Sequence, residues 1–428
     1  MSVLIKNGRV IDPIAGLDTK ADILIENSTI KKIAPALAAS GDIDIIDAQD
    51  CIVAPGLMDM HVHLREPGYE AQEDIETGTL AAAYGGFTAV ACMGNTNPVV
   101  DNAAIVRAIL SRASEAGHCR VYPIGSITKG LEGKELSEIG DMADAGIVAV
   151  SDDGKCVKSS AVMRNGLQYA KAFGIPVISH SEDTALSSGG SINEGYYSTV
   201  LGLKGIPAAA EEIMVGRDCL LAEATGARLH IAHVSTEGSV RIVREAKARG
   251  VRVTCEATPH HFSLTDKDTY DYDTNTKVNP PLRSQRDVEA IIQGLQDGTI
   301  EVIASDHAPH TFESKAVEFA YAPCGISGIE TMLALVVTKL VYPGYLDWMG
   351  AIRKLTVGPA VALGLPLTGI KEGSKANLTV IDPKLEKTVD VRLFKSKGKN
   401  SPFNGQLLKG WPVATIFEGK LSASKVGL

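Results

Sequence analysis

Apolar positions recur along the chain in two rhythms. Between residues 57 and 305, short apolar runs at 57–61, 88–93, 121–125, 147–151, 176–180, 228–233, 252–256 and 301–305 alternate with longer stretches of mixed character. The clearest of those longer stretches are 103–116, 162–173, 208–225, 239–249 and 285–295. Short bounded runs predict buried strands, and the longer stretches predict helices. Glycines at 85–86, 117, 146, 174, 226 and 250 mark where helices end before the next run. Eight strand–helix alternations predict a (β/α)8 barrel rather than an open doubly wound sheet. The two ends of the chain read differently. Residues 3–53, 376–381 and 413–417 carry branched residues in short runs cut by Asn, Gly and Pro. They predict a small β-sandwich built from both termini, which divides the chain into 1–53, a barrel over 54–366, and 367–428.

A barrel makes a specific demand: reactive side chains should sit where its strands end. The first run closes with Asp59-Met60-His61-Val62-His63, and residues two apart on a strand share a face, so His61 and His63 can reach one ion. The fourth run ends in Ser151-Asp152-Asp153-Gly154, the fifth at His180, the sixth at His233 and the eighth at Asp306. Each alone could be a satisfied polar group at a strand end. Together, four imidazoles and two carboxylates at one mouth match the nitrogen and oxygen donors that zinc prefers. Spacing leaves Asp152 and Asp153 both open as the fourth-strand ligand. Arg65, two residues after His63, enters the same mouth, where a guanidinium offers a fork to a carboxylate. His230 and His307 are expected to alternate away from the mouth, His230 into the helix layer. His260 and His261 are expected to pack or to support, and His118 to lie in a loop.

Composition narrows the chemistry. The 428 residues carry a formal net charge of −9, which disfavours nucleic acid held by bulk basic charge, so an anionic substrate needs a local cationic donor. Seven scattered cysteines, with no CxxC pair, argue against a disulfide framework or a cysteine zinc site and point to a reducing cytoplasm. No window reaches the roughly 20 apolar residues of a membrane span, so no membrane association is expected.

These residues resemble the amidohydrolase superfamily: HxH on strand one, a bridging ligand on strand four, His on five and six, and Asp on eight. Within it, the stretch from Asp59 to Gly68 is similar to the dihydroorotase signature. So are Met93-Gly94-Asn95-Thr96, Ser151-Asp152-Asp153-Gly154, the stretch from Glu256 to His261 and the stretch from Ala304 to His310. Many relatives carry a carbamylated Lys on strand four, whereas Asp152-Asp153 here resembles the bacterial dihydroorotase class that uses Asp. The resemblance implies His61, His63, Asp153, His180 and His233 as ligands of one or two zinc ions. It implies Asp306 as the proton-transferring carboxylate that also touches the metal. Arg65, Asn95 and His310 are implied on the substrate carboxylate, and Asn279 on the substrate as well. A lid over 311–325 is implied too, with Cys324 where a bulkier residue is expected. A homo-oligomer, or a complex with aspartate carbamoyltransferase, is the implied assembly. The alternatives are a hydantoinase- or allantoinase-type cyclic amidase, and a non-catalytic structural relative that keeps the fold.

Overall fold

The computed structural model describes residues 2–39 and 43–424. Eight parallel strands form one barrel sheet: Leu57–Val62, Phe87–Cys92, Arg120–Gly125, Ala149–Ser151, Val177–Ser179, Leu229–Ile231, Val253–Ala257 and Val302–Ile303. The α/β barrel expected from the alternating runs is therefore present. Five of its helices fall within two residues of their predicted bounds: Ala103–Ala116, Ser160–Ala172, Ala209–Thr225, Glu237–Ala248 and Gln285–Asp297. Asn102 shows why the first of these starts where it does, since its side chain accepts from the Ala104 and Ile105 N–H groups. Four short elements between strand five and its helix were not foreseen. Thr184–Ser187, the parallel pair Ile192–Asn193 with Gly205–Ile206, and Tyr196–Leu201 each carry too few apolar positions to show a period.

Alternation along the strands sorts the core into two layers. Leu57, Val90, Val121, Val150, Leu229, Ile231 and Val253 face the helices, while Met58, Met60, Ala91, Ile124, Ala149, Ile178 and Ala304 fill the barrel interior. The sheet closes between its first and last strands. The His63 N–H donates to the His307 carbonyl at 2.8 Å, and a parallel bridge joins Val62 to His307. Just below, the buried Asp59 carboxylate stands in for a backbone partner, accepting from the Ser305 N–H at 3.1 Å and the His61 N–H at 3.2 Å.

The termini make a second sheet of eight strands, in which Ile52–Pro55 pairs antiparallel with Leu378–Thr388. A bridge from Thr29 to Lys375 brings the N-terminal hairpin round to the C-terminal strands, enclosing Val3, Ile5, Ile23, Ile25, Val53, Val380 and Ile416. The sheet is fastened to the barrel: Thr379 Oγ1 donates to the Gly86 carbonyl and Thr415 Oγ1 to that of Ala83.

If Asp59 holds the barrel seam, Asp59→Ala leaves two buried N–H donors unpaired and should lower unfolding stability by about 2 kcal/mol. Urea denaturation of the purified variant measures this. An unchanged midpoint would mean the seam is held without the carboxylate.

Candidate functional site

The strand ends bring six side chains from five strands onto one centre. Asp153 is its hub: its carboxylate oxygens lie 3.5 Å from His61 Nε2, 3.5 Å from His63 Nε2, 3.6 Å from His180 Nδ1 and 3.6 Å from His233 Nε2. Asp306 Oδ1 completes the ring at 3.1 Å from His63 Nε2 and 3.4 Å from His61 Nε2. Asp152, left open by spacing, turns the other way and accepts from the Ile127 and Thr128 N–H groups at 2.8 and 3.0 Å. Two clusters, His61–Asp153–His233 and His61–His63–Asp306, have donor atoms close enough to hold a metal ion.

The electrostatics of the ring fit a cation. Among the described residues, His61 Nε2 and Asp153 Oδ1 are buried without hydrogen-bond partners, yet face each other across 3.5 Å. His180 Nδ1 and His233 Nε2 stand 2.9 Å apart, so either one nitrogen donates its proton to the other or both share a positive charge held between them. Protons can supply that charge. Burial alone would push His180 down, but Asp153 and Glu182 outweigh it and lift the imidazole to about 10. Burial likewise disfavours the Asp306 carboxylate, but His61, His63 and His233 hold it below the usual range. A metal ion can replace those protons, and nitrogen with carboxylate oxygen is the donor set zinc accepts.

Supporting carboxylates fix which imidazole nitrogens face inward. Glu256 Oε1 accepts from His61 Nδ1 at 2.5 Å and from the His233 N–H at 3.2 Å, while Oε2 meets His230 Nε2 at 3.1 Å. Glu182 accepts from His180 Nε2 at 3.1 Å, and Asn95 Oδ1 from His63 Nδ1 at 2.9 Å. For His61, His63 and His180 the paired nitrogen carries the proton and the other is left as a donor atom toward the centre. Sequence reasoning gave no role to Glu182 or Glu256. Glu256 ends the seventh strand run, so the strand-end rule applied there would have found it.

The structure corrects the expectation for His230, which does not enter the helix layer. It faces the barrel interior, with Nδ1 2.8 Å from Thr254 Oγ1 and Nε2 on Glu256. The strand ends at Ile231 and His233 takes φ 32°, so two-residue alternation cannot be counted from 233 back to 230. His307 points away from the centre to accept the Gly328 N–H at 3.2 Å. His261 Nε2 donates to the Pro280 carbonyl at 3.0 Å, and the His260 ring lies tilted beside it, centroids 4.4 Å apart.

Arg65, Asn95, Asn279 and His310 line the same cavity of about 300 Å³ as Asp153 and Asp306. Asn279 Nδ2 donates to Glu182 Oε2 at 3.1 Å. His310 Nε2 lies 2.8 Å from the Cys324 carbonyl and so donates to it; Arg65 Nη2, 3.5 Å from the same nitrogen, therefore finds no lone pair there. Burial with Arg65 alongside pushes His310 down to about 3, so the imidazole is neutral. Of the 311–325 segment, Cys324 and Gly325 line the cavity. Lys315 Nζ donates to the Thr274 and Pro323 carbonyls at 2.8 Å each, and the Gly325 N–H to that of Lys277 at 2.9 Å. Gly325 sits at φ 141°, and a Cβ there would come within 2.7 Å of Ala308. Cys324 is exposed beside it, whereas the other six cysteines are free and buried. Arg65, His233 and Asp306 all have positive φ, a conformation that costs roughly 1–3 kcal/mol each and persists only where the surroundings enforce it.

Among the described residues, no helix is long and apolar enough to cross a membrane. The Dihydro-orotase-like family model matches residues 50–239. A dihydroorotase of Pelotomaculum thermopropionicum is 56% identical over 98% of both chains, and one of Acetivibrio thermocellus is 53% identical over the same shares. Among solved structures, an L-hydantoinase (dihydropyrimidinase) from Arthrobacter aurescens superposes with a TM-score of 0.88 at 26% identity, covering 100% of this chain and 97% of its own. With more than half of its residues shared with such relatives along nearly its whole length, the chain belongs to the dihydroorotase family.

Proposed function

We propose that this chain is a zinc-dependent dihydroorotase, interconverting N-carbamoyl-L-aspartate and (S)-dihydroorotate in pyrimidine biosynthesis. The observation that carries this reading is the single cavity in which Asp153, His180, His233 and Asp306 share walls with Arg65 and His310. It joins a cation-binding centre to a cationic fork for a substrate carboxylate. His61, His63, Asp153, His180 and His233 hold one or two zinc ions, with Asp306 at their edge. Zinc held there supplies Lewis acidity and acidifies water.

The remaining work falls to the chain's own groups. The Arg65 guanidinium, half-buried and lowered to about 10 yet still charged at neutral pH, grips the substrate carboxylate in a fork. The neutral His310 offers its Nε2–H, for which that carboxylate competes with the Cys324 carbonyl. Asn95 and Asn279 present their amides to the same cavity, Asn95 while holding the His63 ring and Asn279 while holding Glu182, which supports His180. Asp306 Oδ1 takes a proton from the attacking water as its oxygen bonds to the ring carbonyl carbon. It delivers that proton to the ring nitrogen as the C–N bond breaks, leaving on the carbon a carboxylic acid whose remaining proton is released to solvent; ring closure runs these steps backwards. The chain is proposed to work in the cytoplasm, as a homo-oligomer or with aspartate carbamoyltransferase.

The test is ultraviolet assay of dihydroorotate ring opening by the purified protein with its metal quantified. Chelation should abolish turnover and zinc should restore it. Asp306→Ala should retain zinc while kcat falls about 10²- to 10⁴-fold. Turnover of hydantoin or allantoin instead would favour the other cyclic amidases, and a chain that binds no metal would end the enzyme reading.

Two further outcomes separate support from grip. Glu256→Gln should weaken zinc retention about 10- to 100-fold in dialysis against a competing chelator; equal retention would remove Glu256 from the centre. Arg65→Met should raise KM for dihydroorotate about 10- to 100-fold with zinc content unchanged, and an unchanged KM would place the carboxylate elsewhere.

A further inference from the structure

The segment between the two long C-terminal strands leaves the terminal sheet and crosses to the barrel mouth. Ser396 Oγ bonds to Glu73, just before the helix Ile75–Tyr84 that follows the first barrel strand, and the Ser327 N–H donates to the Asn400 carbonyl at 2.8 Å. The approach is close: a Cβ on Gly398 would lie 2.4 Å from Pro309 Cβ and 2.6 Å from Ser327 Oγ. At its end Asn400 is 5% exposed, and all four hydrogen-bonding positions of its side chain are used. Oδ1 accepts from the His310 N–H and from Ser327 Oγ, each at 2.9 Å. Nδ2 donates to the Ala308 carbonyl at 3.1 Å and the Gly325 carbonyl at 2.9 Å.

Three of these partners line or adjoin the cavity wall that carries Arg65: Ala308, His310 and Gly325. The amide ties the strand-eight loop to the end of the 311–325 segment, and so sets His310 against the carbonyl of Cys324, which its ring now holds. Only a primary amide does this. A carboxylate of the same shape keeps both acceptor bonds but turns an oxygen on two carbonyl oxygens, and an alanine leaves two buried donors and two buried acceptors without partners.

We propose that Asn400 is a positioning residue for substrate binding, fixing the carboxylate-binding wall from outside the barrel. The proposal rests on the dihydroorotase reading. None of its four bonds reaches Asp153, Asp306 or the histidine ring around them, so its effect falls on affinity rather than on the chemical step.

Zinc-loaded full-length Asn400→Asp and Asn400→Ala should show KM for dihydroorotate raised about tenfold, with kcat within about threefold of the wild type. Zinc per chain should be unchanged. Lys399→Met, on the exposed side of the same segment, should leave both constants alone. Chymotryptic cleavage after Tyr321, which is 81% exposed, should quicken in both Asn400 variants as the Gly325 tether is lost. If Asn400→Ala does not yield folded protein, Asn400→Ser, which retains one donor and one acceptor, should show the same rise in KM. A purely structural role would reduce the active fraction, and so apparent kcat, without moving KM; that result, or an unchanged KM in zinc-loaded variants, overturns the proposal. A wild-type chain that holds zinc but leaves dihydroorotate intact overturns the functional reading instead.

Discussion

Closure of the barrel between its first and last strands is the constraint from which the rest follows. His61 and His63 lie some 240 residues before Asp306, and only the seam puts them side by side. There the His63 backbone donates to His307, and Asp59 bridges the two strands one step below. The backbone bonds that complete the sheet therefore belong to the same residues whose side chains, or whose neighbours' side chains, meet at the centre. Any loosening of the seam would separate the first-strand histidines from the last-strand carboxylate.

The second organising fact is that His61, His63 and His180 each have a partner on the ring nitrogen that faces away from the centre. Glu256 serves His61, the His233 backbone and His230 at once; Glu182 serves His180 and Asn279; Asn95 serves His63. Substrate-facing and ligand-facing groups are thereby coupled. Asn95 and Asn279 each present an amide to the cavity while holding, directly or through Glu182, the ring of a histidine.

Much of this was legible in the sequence because two periodicities, one for strands and one for helices, fix which residues end up at strand ends. That logic picks out His61, His63, His180, His233 and Asp306 as neighbours, and it reaches Arg65 by its offset from His63. It failed where regular geometry stops. His230 was misplaced because the chain leaves strand conformation before His233, where φ is positive. Asp152 and Asp153 could not be separated, since the difference is which carboxylate the Ile127 and Thr128 N–H groups capture. Glu182 follows His180 in a loop and carries no pattern. Asn400 lies in a Lys- and Ser-rich segment that reads as an ordinary surface connection; its role depends on a crossing that no local period encodes.

The pairing of Ile52–Pro55 with Leu378–Thr388 has a consequence for how the protein is made. The earlier strand leaves the ribosome more than 300 residues before its partner exists, a wait of roughly tens of seconds at ordinary elongation rates. During synthesis its own Val53 and the neighbouring Ile5 and Ile23 lack the C-terminal part of their eventual core, and one sheet edge stays open beside a barrel still under construction. The nascent chain therefore carries an unpaired apolar edge throughout elongation, and it is in that interval, rather than in the finished molecule, that aggregation or chaperone capture competes with folding.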